Sequence, residues 1–293
     1  MTSTYASSST AGRGAVPEWT SRTVSLRGPA GRPVEATVRD AGRGPLVVFL
    51  HGLVGLNDHW DEVVARVADR CRCVCLQIPL LDLRGSDCSV QGVTEMTAGF
   101  LRTLLPELEG ERGPGVLVGN SFGGHVACRV AIDAPELVKG LVLAGASGLI
   151  ERPLAETKRF SEIQTRPTRE WINEKIGELF FDRSRIYPGD LDRAHKELNE
   201  RGKARAMVRL SRSARKNHLG GELDALQQPT LLIWGREDIV TPPEAAEEFL
   251  KLLPDARIEW YERCGHVPMV EHPERFSESL ASFVLGLASG EGD

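Results

Sequence analysis

Ten residues, Val116-Leu117-Val118-Gly119-Asn120-Ser121-Phe122-Gly123-Gly124-His125, constrain this chain more than any other stretch. An apolar run leads into Gly-Asn-Ser-Phe-Gly, and a helix-capable run from His125 to Ala134 leaves it. Strand, G-x-S-x-G and helix in succession make a sharp turn that pushes the serine hydroxyl out at the top of a sheet. Gly119 and Gly123 flank Ser121 because strand and departing helix come too close there for side chains. The helix start also presents free N–H groups where an oxyanion would form. A Gly-rich turn before a helix can equally be an ordinary strand–helix connection, so the meaning of the motif depends on partners elsewhere.

The flanking pattern predicts an α/β protein with a mostly parallel sheet and helices on both faces. Thr23 to Leu26 and Val34 to Val38 read as two strands of a hairpin around Gly28-Pro29-Ala30-Gly31. Leu46 to Leu50 is a continuous apolar run, as expected of a strand buried on both faces, and Cys73 to Ile78, Val116 to Val118, Leu137 to Leu143 and Thr230 to Trp234 read as further, mostly apolar strands. Arg257 to Tyr261 is the last strand. Helices are expected with Trp60, Val63, Val64 and Val67, capped by Asn57 or Asp58, then over Val93 to Leu108, Pro243 to Leu253 and Pro273 to about Leu287.

Between about 149 and 218 the strand signals stop and apolar residues recur at helical spacing: Ile172, Ile176, Leu179 and Phe180, then Leu191, Ala194 and Leu198, then Met207 and Leu210. This block reads as an inserted helical cap, leaving 21–148 and 219–288 as the core and 1–20 and 289–293 as disordered tails. It holds 17 basic and 11 acidic residues, whereas the whole chain carries a formal net charge of −5. Arg201, Arg205, Arg209, Arg212 and Lys216 step by three or four and would form one stripe on a continuous helix. Such a stripe can steer an anionic substrate, but a solvated helix face is the plainer reading.

The net charge gives no reason to expect a nucleic-acid partner. No apolar run approaches the ~20 residues that cross a membrane. The N-terminus has no apolar core of a secretory signal, and the six cysteines form no C-x-x-C pair. Cys71, Cys73 and Cys75 alternate, so they fall on one face of a strand as small buried side chains. These features lead to the expectation of a cytoplasmic protein with a small-molecule substrate, no metal and no cofactor.

A serine hydroxyl needs a base, and the base needs an orienting carboxylate. Two late strands supply candidates on the loops that follow them. Leu231-Leu232-Ile233-Trp234 runs into Gly235-Arg236-Glu237-Asp238, and Ile258-Glu259-Trp260-Tyr261 runs into Cys264-Gly265-His266. Either Glu237 or Asp238 could be the acid. The remaining histidines read as structural: His51 as support for its loop, His59 and His272 at helix starts, His125 on the helix after the turn, and His195 and His218 in or beside the cap.

With the His51-Gly52 loop, the Gly119 to Gly123 turn and the Asp238-Ile239-Val240-Thr241-Pro242 and Cys264-Gly265-His266-Val267-Pro268 loops in view, the chain resembles the α/β-hydrolase superfamily over about residues 22 to 287. The resemblance implies Ser121 as nucleophile, His266 as general base and then acid, and Asp238 as its orienter. It implies an oxyanion hole made by the backbone N–H groups of Leu53 and Phe122, with His51, Gly52, Gly119, Asn120 and Gly123 supporting the turn and loop. Gly-Asn-Ser-x-Gly-Gly and the segment Leu179 to Arg185 look like the branch that includes the meta-cleavage-product hydrolases, which split carbon–carbon bonds. That branch usually has Trp directly after the histidine, where this chain has Val267, and a polar Asn in the first helix, where it has Glu62. A serine esterase acting on a small carboxylic ester is therefore the first expectation. A C–C bond hydrolase of a meta-cleavage-type dienoate is the second, and a non-catalytic small-molecule binding module the third.

Overall fold

The structure, a computed structural model, describes residues 17–55, 57–107, 114–149 and 167–290. The elements in chain order are β1 (Thr20–Arg27), β2 (Pro33–Ala41), β3 (Leu46–Leu50), α1 (Asp61–Val67), β4 (Arg72–Gln77), α2 (Val90–Leu104), β5 (Gly115–Asn120), α3 (Phe122–Asp133) and β6 (Val138–Ala144). There follow α4 (Arg169–Gly177), α5 (Pro188–Asn199), α6 (Lys203–Lys216), β7 (Thr230–Gly235), α7 (Pro243–Leu252), β8 (Ala256–Tyr261), α8 (Pro268–Glu271) and α9 (Pro273–Ser289).

The strands form one eight-stranded sheet in the order β1-β2-β4-β3-β5-β6-β7-β8. The hairpin pair β1–β2 and the β2–β4 pair are antiparallel. Every other pairing is parallel. The apolar runs are continuous because alternate residues enter two different cores. Val48 and Leu50 pack with the buried faces of α2, α3 and α7. Val47 and Phe49 pack with α1 and α9 through Val63, Val64, Phe276 and Leu280. Cys71, Cys73 and Cys75 share that second core and are fully buried free thiols. Burial pushes their thiols up, Cys71 to about 11.

Local chemistry moves several element ends from their expected places. β1 begins at Thr20, and Trp19 is stacked under the Arg39 guanidinium at 4.2 Å. The other tail positions, 1–16 and 291–293, lie outside the described residues. A 3₁₀ turn over Asn57–Trp60 leads into α1, so Trp60 stands at its N-cap with no side-chain cap. α2 begins three residues early because the Ser89 hydroxyl accepts a hydrogen bond from Gly92 N at 3.0 Å.

Helices α4 to α6 fill the stretch between β6 and β7, with 150–166 outside the described residues. The basic stripe is broken at its start: Gly202, at φ +90°, ends the segment before α6, so Arg201 lies off the helix. Arg205, Arg209, Arg212 and Lys216 are exposed.

Behind the Ser121 turn lies a polar network built on the buried side chains of His125 and Arg129. His125 Nε2 and Arg129 Nε both approach Asn217 Oδ1, at 3.0 and 2.7 Å, and Arg129 grips Glu222 with two bonds of 2.8 Å. Asn217 Oδ1 accepts, so Nε2 carries the proton. Burial holds His125 down to about 4. Between its ordinary value near 6.5 and about 4, the unfolded chain binds a proton that the folded chain refuses. Stability is therefore lost as pH falls through that window, by up to about 3 kcal/mol. Thermal unfolding at pH 7.5 and pH 5 is expected to show this. His125→Gln, which keeps a donor toward Asn217 but does not titrate, should lose roughly 4–8 °C less than the parent over the same interval.

Candidate active site

Ser121 sits between β5 and α3 at φ 54°, ψ −118°, a backbone region that L-residues rarely enter. Such a conformation costs roughly 1–3 kcal/mol and persists only where neighbours fix it. Here they do so by hydrogen bonds. Ser121 N donates to Ala144 O at 3.1 Å, and Ser121 O accepts from Ser147 N at 3.1 Å and His125 N at 3.2 Å. The two glycines have the steric role expected of them. A Cβ on Gly119 would lie 2.5 Å from the Gly123 backbone, and one on Gly123 would lie 2.3 Å from Leu50 O. Asn120 turns inward and donates to Ala144 O and His266 O, both at 2.9 Å, tying the turn to the histidine loop.

The loop after β7 separates the two candidate acids by position. Asp238 Oδ2 lies 2.8 Å from His266 Nδ1, and both residues are 2 % exposed. The other carboxylate oxygen accepts from Val240 N at 2.8 Å and Thr241 N at 2.9 Å. Glu237 points elsewhere and accepts from Cys264 N at 2.9 Å, which clamps the two late loops together. With Asp238 as acceptor, His266 carries its proton on Nδ1 and leaves the Nε2 lone pair free. Thr241 Oγ1 lies 2.9 Å from Asp238 Oδ2, 3.0 Å from Gly145 O and 3.1 Å from His266 Nδ1, so it packs the pair from the side.

Ser121, His266, Leu53 and Phe122 line one cavity of about 240 Å³, and Gly52 and Asn120 contribute to its wall. At about 30 Å³ per water, that is room for a ligand of on the order of ten heavy atoms. Phe122 N is the first N–H of α3 and has no intrahelical acceptor. His51 is buried in the loop after β3, with Nδ1 2.8 Å from Gly52 O, and burial lowers its pKa. Among the described residues the Ser121 hydroxyl makes no hydrogen bond. In unliganded sites such contacts often close only when substrate arrives.

Several residues at the site had no signal in the sequence patterns. Glu271 accepts from Phe181 N, Asp182 N and Gly265 N at 2.9, 2.9 and 2.6 Å, and His266 N donates to Leu179 O at 2.8 Å. These bonds fix the segment after α4 against the histidine loop. Glu62, at the position read as departing from the meta-cleavage branch, accepts from the Tyr187 hydroxyl at 2.8 Å. The exposed stripe Arg205, Arg209, Arg212 and Lys216 lines a separate groove with Ser89, Ser213 and Asn217. The α6 cation that lines the Ser121 cavity is Arg215. Among the described residues no group of three or more His, Cys, Asp or Glu is placed to hold a metal ion, and no helix is long and apolar enough to cross a membrane.

Known proteins resemble this chain along most of its length. A pimeloyl-[acyl-carrier protein] methyl ester esterase of Nitrosomonas europaea is 29 % identical over 267 residues, spanning 82 % of this chain and 95 % of its own. A 2-hydroxy-6-oxononadienedioate/2-hydroxy-6-oxononatrienedioate hydrolase of Paraburkholderia xenovorans is 29 % identical over 266 residues, spanning 86 % and 91 %. The crystal structure of an alpha/beta hydrolase enzyme from the metagenome of lagoon sediments of Mar Chica, Morocco, superposes with a TM-score of 0.62 at 28 % identity, covering 85 % of this chain and 94 % of that one. Residues 47–279 match the alpha/beta hydrolase family. With the sheet order, the strained serine turn and the paired late loops, that match makes the chain a member of the alpha/beta hydrolase family.

Proposed function

We propose that the protein is a serine hydrolase acting on a small carboxylic ester through Ser121, His266 and Asp238, with the helices of about 149–218 forming a cap over the cavity. The observation that carries the reading is the buried 2.8 Å His266–Asp238 pair, whose histidine lines the same cavity as a serine held at φ 54°. Binding alone requires neither an oriented histidine nor a strained serine.

Ser121 Oγ attacks the ester carbonyl carbon while His266 Nε2 takes its proton. Asp238 holds Nδ1–H, fixes the tautomer and stabilises the imidazolium that forms. The oxyanion lies against the N–H groups of Phe122 and Leu53, where Gly52 lets the loop come close to the turn: a Cβ there would stand 3.3 Å from Ser121 Cβ. The intermediate collapses, His266 protonates the departing alkoxide, and an acyl-enzyme remains. Water then attacks the acyl carbon with His266 as base, and the carboxylic acid leaves. The same groups would serve hydrolysis of a C–C bond in a dienoate, a second reading supported by the Paraburkholderia relative.

Incubation with a fluorophosphonate, followed by peptide mass spectrometry, tests the shared nucleophile. A single adduct on Ser121 is expected, together with turnover of a short p-nitrophenyl ester. An unlabelled Ser121 in an inactive protein would favour the binding-module reading. Labelling without ester turnover would favour the C–C hydrolase.

A further inference from the structure

Among the described residues, the charges around the Ser121 cavity do not balance. Its wall holds four ionisable side chains, His59, Glu178, Arg215 and His266, among the described residues. Three of them have partners. His266 has Asp238 at 2.8 Å. Glu178 has the buried Lys175 ammonium at 2.7 Å. His59 Nε2 lies 3.4 Å from Asp190, which Arg193 also holds at 3.0 Å.

Arg215 is the exception. Its Nε lies 3.4 Å from Ser211 O, one turn back on α6, and among the described residues no carboxylate pairs with its guanidinium. It is half-buried in a wall whose neighbours include Met207, Ala214, Val240 and Pro242. A guanidinium in such a place has lost part of its hydration, and among the described residues it has no counter-ion to replace it. A second donor in this wall is also unanswered. Ser147 Oγ is a buried hydroxyl with no partner among the described residues. Both line the same cavity, and Leu219 N donates to Gly148 O at 2.9 Å, joining the segment after β6 to the stretch that follows α6.

We propose that the cavity takes an ester whose substrate carries a free carboxylate as well as the scissile bond, and that Arg215 is the counter-ion that selects it. The planar guanidinium fork matches a carboxylate with two parallel N–H···O bonds, and Ser147 Oγ–H is placed to donate a third. One unbalanced positive charge and about 240 Å³ of space fit a singly charged group of carboxylate size. The exposed stripe on α6 is not the selector, since it lines a different groove. This inference rests on the serine-hydrolase reading above for the bond that is broken, but not for the anion that is bound.

The test compares two p-nitrophenyl esters of similar acyl length, the neutral pentanoate and the glutarate half-ester, by their kcat/KM ratio. Arg215→Gln is expected to lower the glutarate-to-pentanoate ratio roughly tenfold to hundredfold, while Arg215→Lys restores part of it. Arg212→Gln, on the exposed stripe, should leave the ratio of the parent protein. A fall in both esters alike, or an unchanged ratio, overturns the proposal. Calorimetric titration of free glutarate into Ser121→Ala protein, with and without Arg215→Gln, provides a reading that needs no turnover. Weaker binding of at least about tenfold in the double variant supports the anion site even if neither ester is cleaved. Equal binding, or none in either protein, overturns it.

Discussion

Ser121→Ala is expected to lower kcat on a p-nitrophenyl ester by roughly four to six orders of magnitude, leaving only what the oxyanion donors and the cavity contribute. The variant loses the proposed attacking atom but keeps the fold, because the turn is fixed by backbone bonds to Ala144, Ser147 and His125 rather than by the hydroxyl. Ser121→Gly separates catalysis from strain. Its rate should fall as far, yet its melting temperature should rise, because glycine occupies φ 54° without the penalty a side chain incurs, a gain of about 1 kcal/mol. Steady-state kinetics and calorimetry on the two variants check both halves. Residual activity within tenfold of the parent would remove Ser121 as nucleophile.

Asp238→Asn is expected to cost roughly three to four orders of magnitude in kcat at neutral pH. Glu237→Gln should stay within about threefold of the parent. An amide at 238 offers one acceptor oxygen where the carboxylate offers two. Val240 N and Thr241 N already claim Oδ1, so the amide NH₂ is left facing His266. The ring then presents a lone pair to that NH₂ and puts its proton on Nε2, the nitrogen proposed to accept from Ser121. Glu237→Gln keeps an oxygen for Cys264 N. A large loss in Glu237→Gln beside a small one in Asp238→Asn would transfer the orienting role to Glu237.

The serine turn, the strand runs and the order of the late loops were legible in the sequence because each is a local pattern. Apolar residues in β3, β5 and β7 are continuous since both faces are covered, and Gly119 and Gly123 bracket a serine since no larger residue fits there. A fixed backbone geometry demands particular residue types within a few positions, so a few positions suffice to read it. Ser121 and His266 were named on that basis, and they line one cavity.

Other features depended on what packs against what. Adjacent acids Glu237 and Asp238 are alike as sequence, and they diverge because one loop carries one carboxylate toward Cys264 and the other toward His266. Helical spacing gathered Arg205, Arg209, Arg212 and Lys216 correctly onto one face, and that face is the solvated one. At about 100° per residue, Arg215 falls about a quarter-turn away, at the edge between the solvated face and the buried one. Periodicity reports which side chains share a face, not what covers it. Glu271, gathering N–H groups from 90 residues upstream, had no local signature. The sequence by itself determined the fold and the serine turn, because close backbone approach and two-sided burial restrict residue choice locally. The tertiary structure alone decided which acid lies against His266 and which cation faces the cavity, because those depend on contacts between segments far apart in the chain.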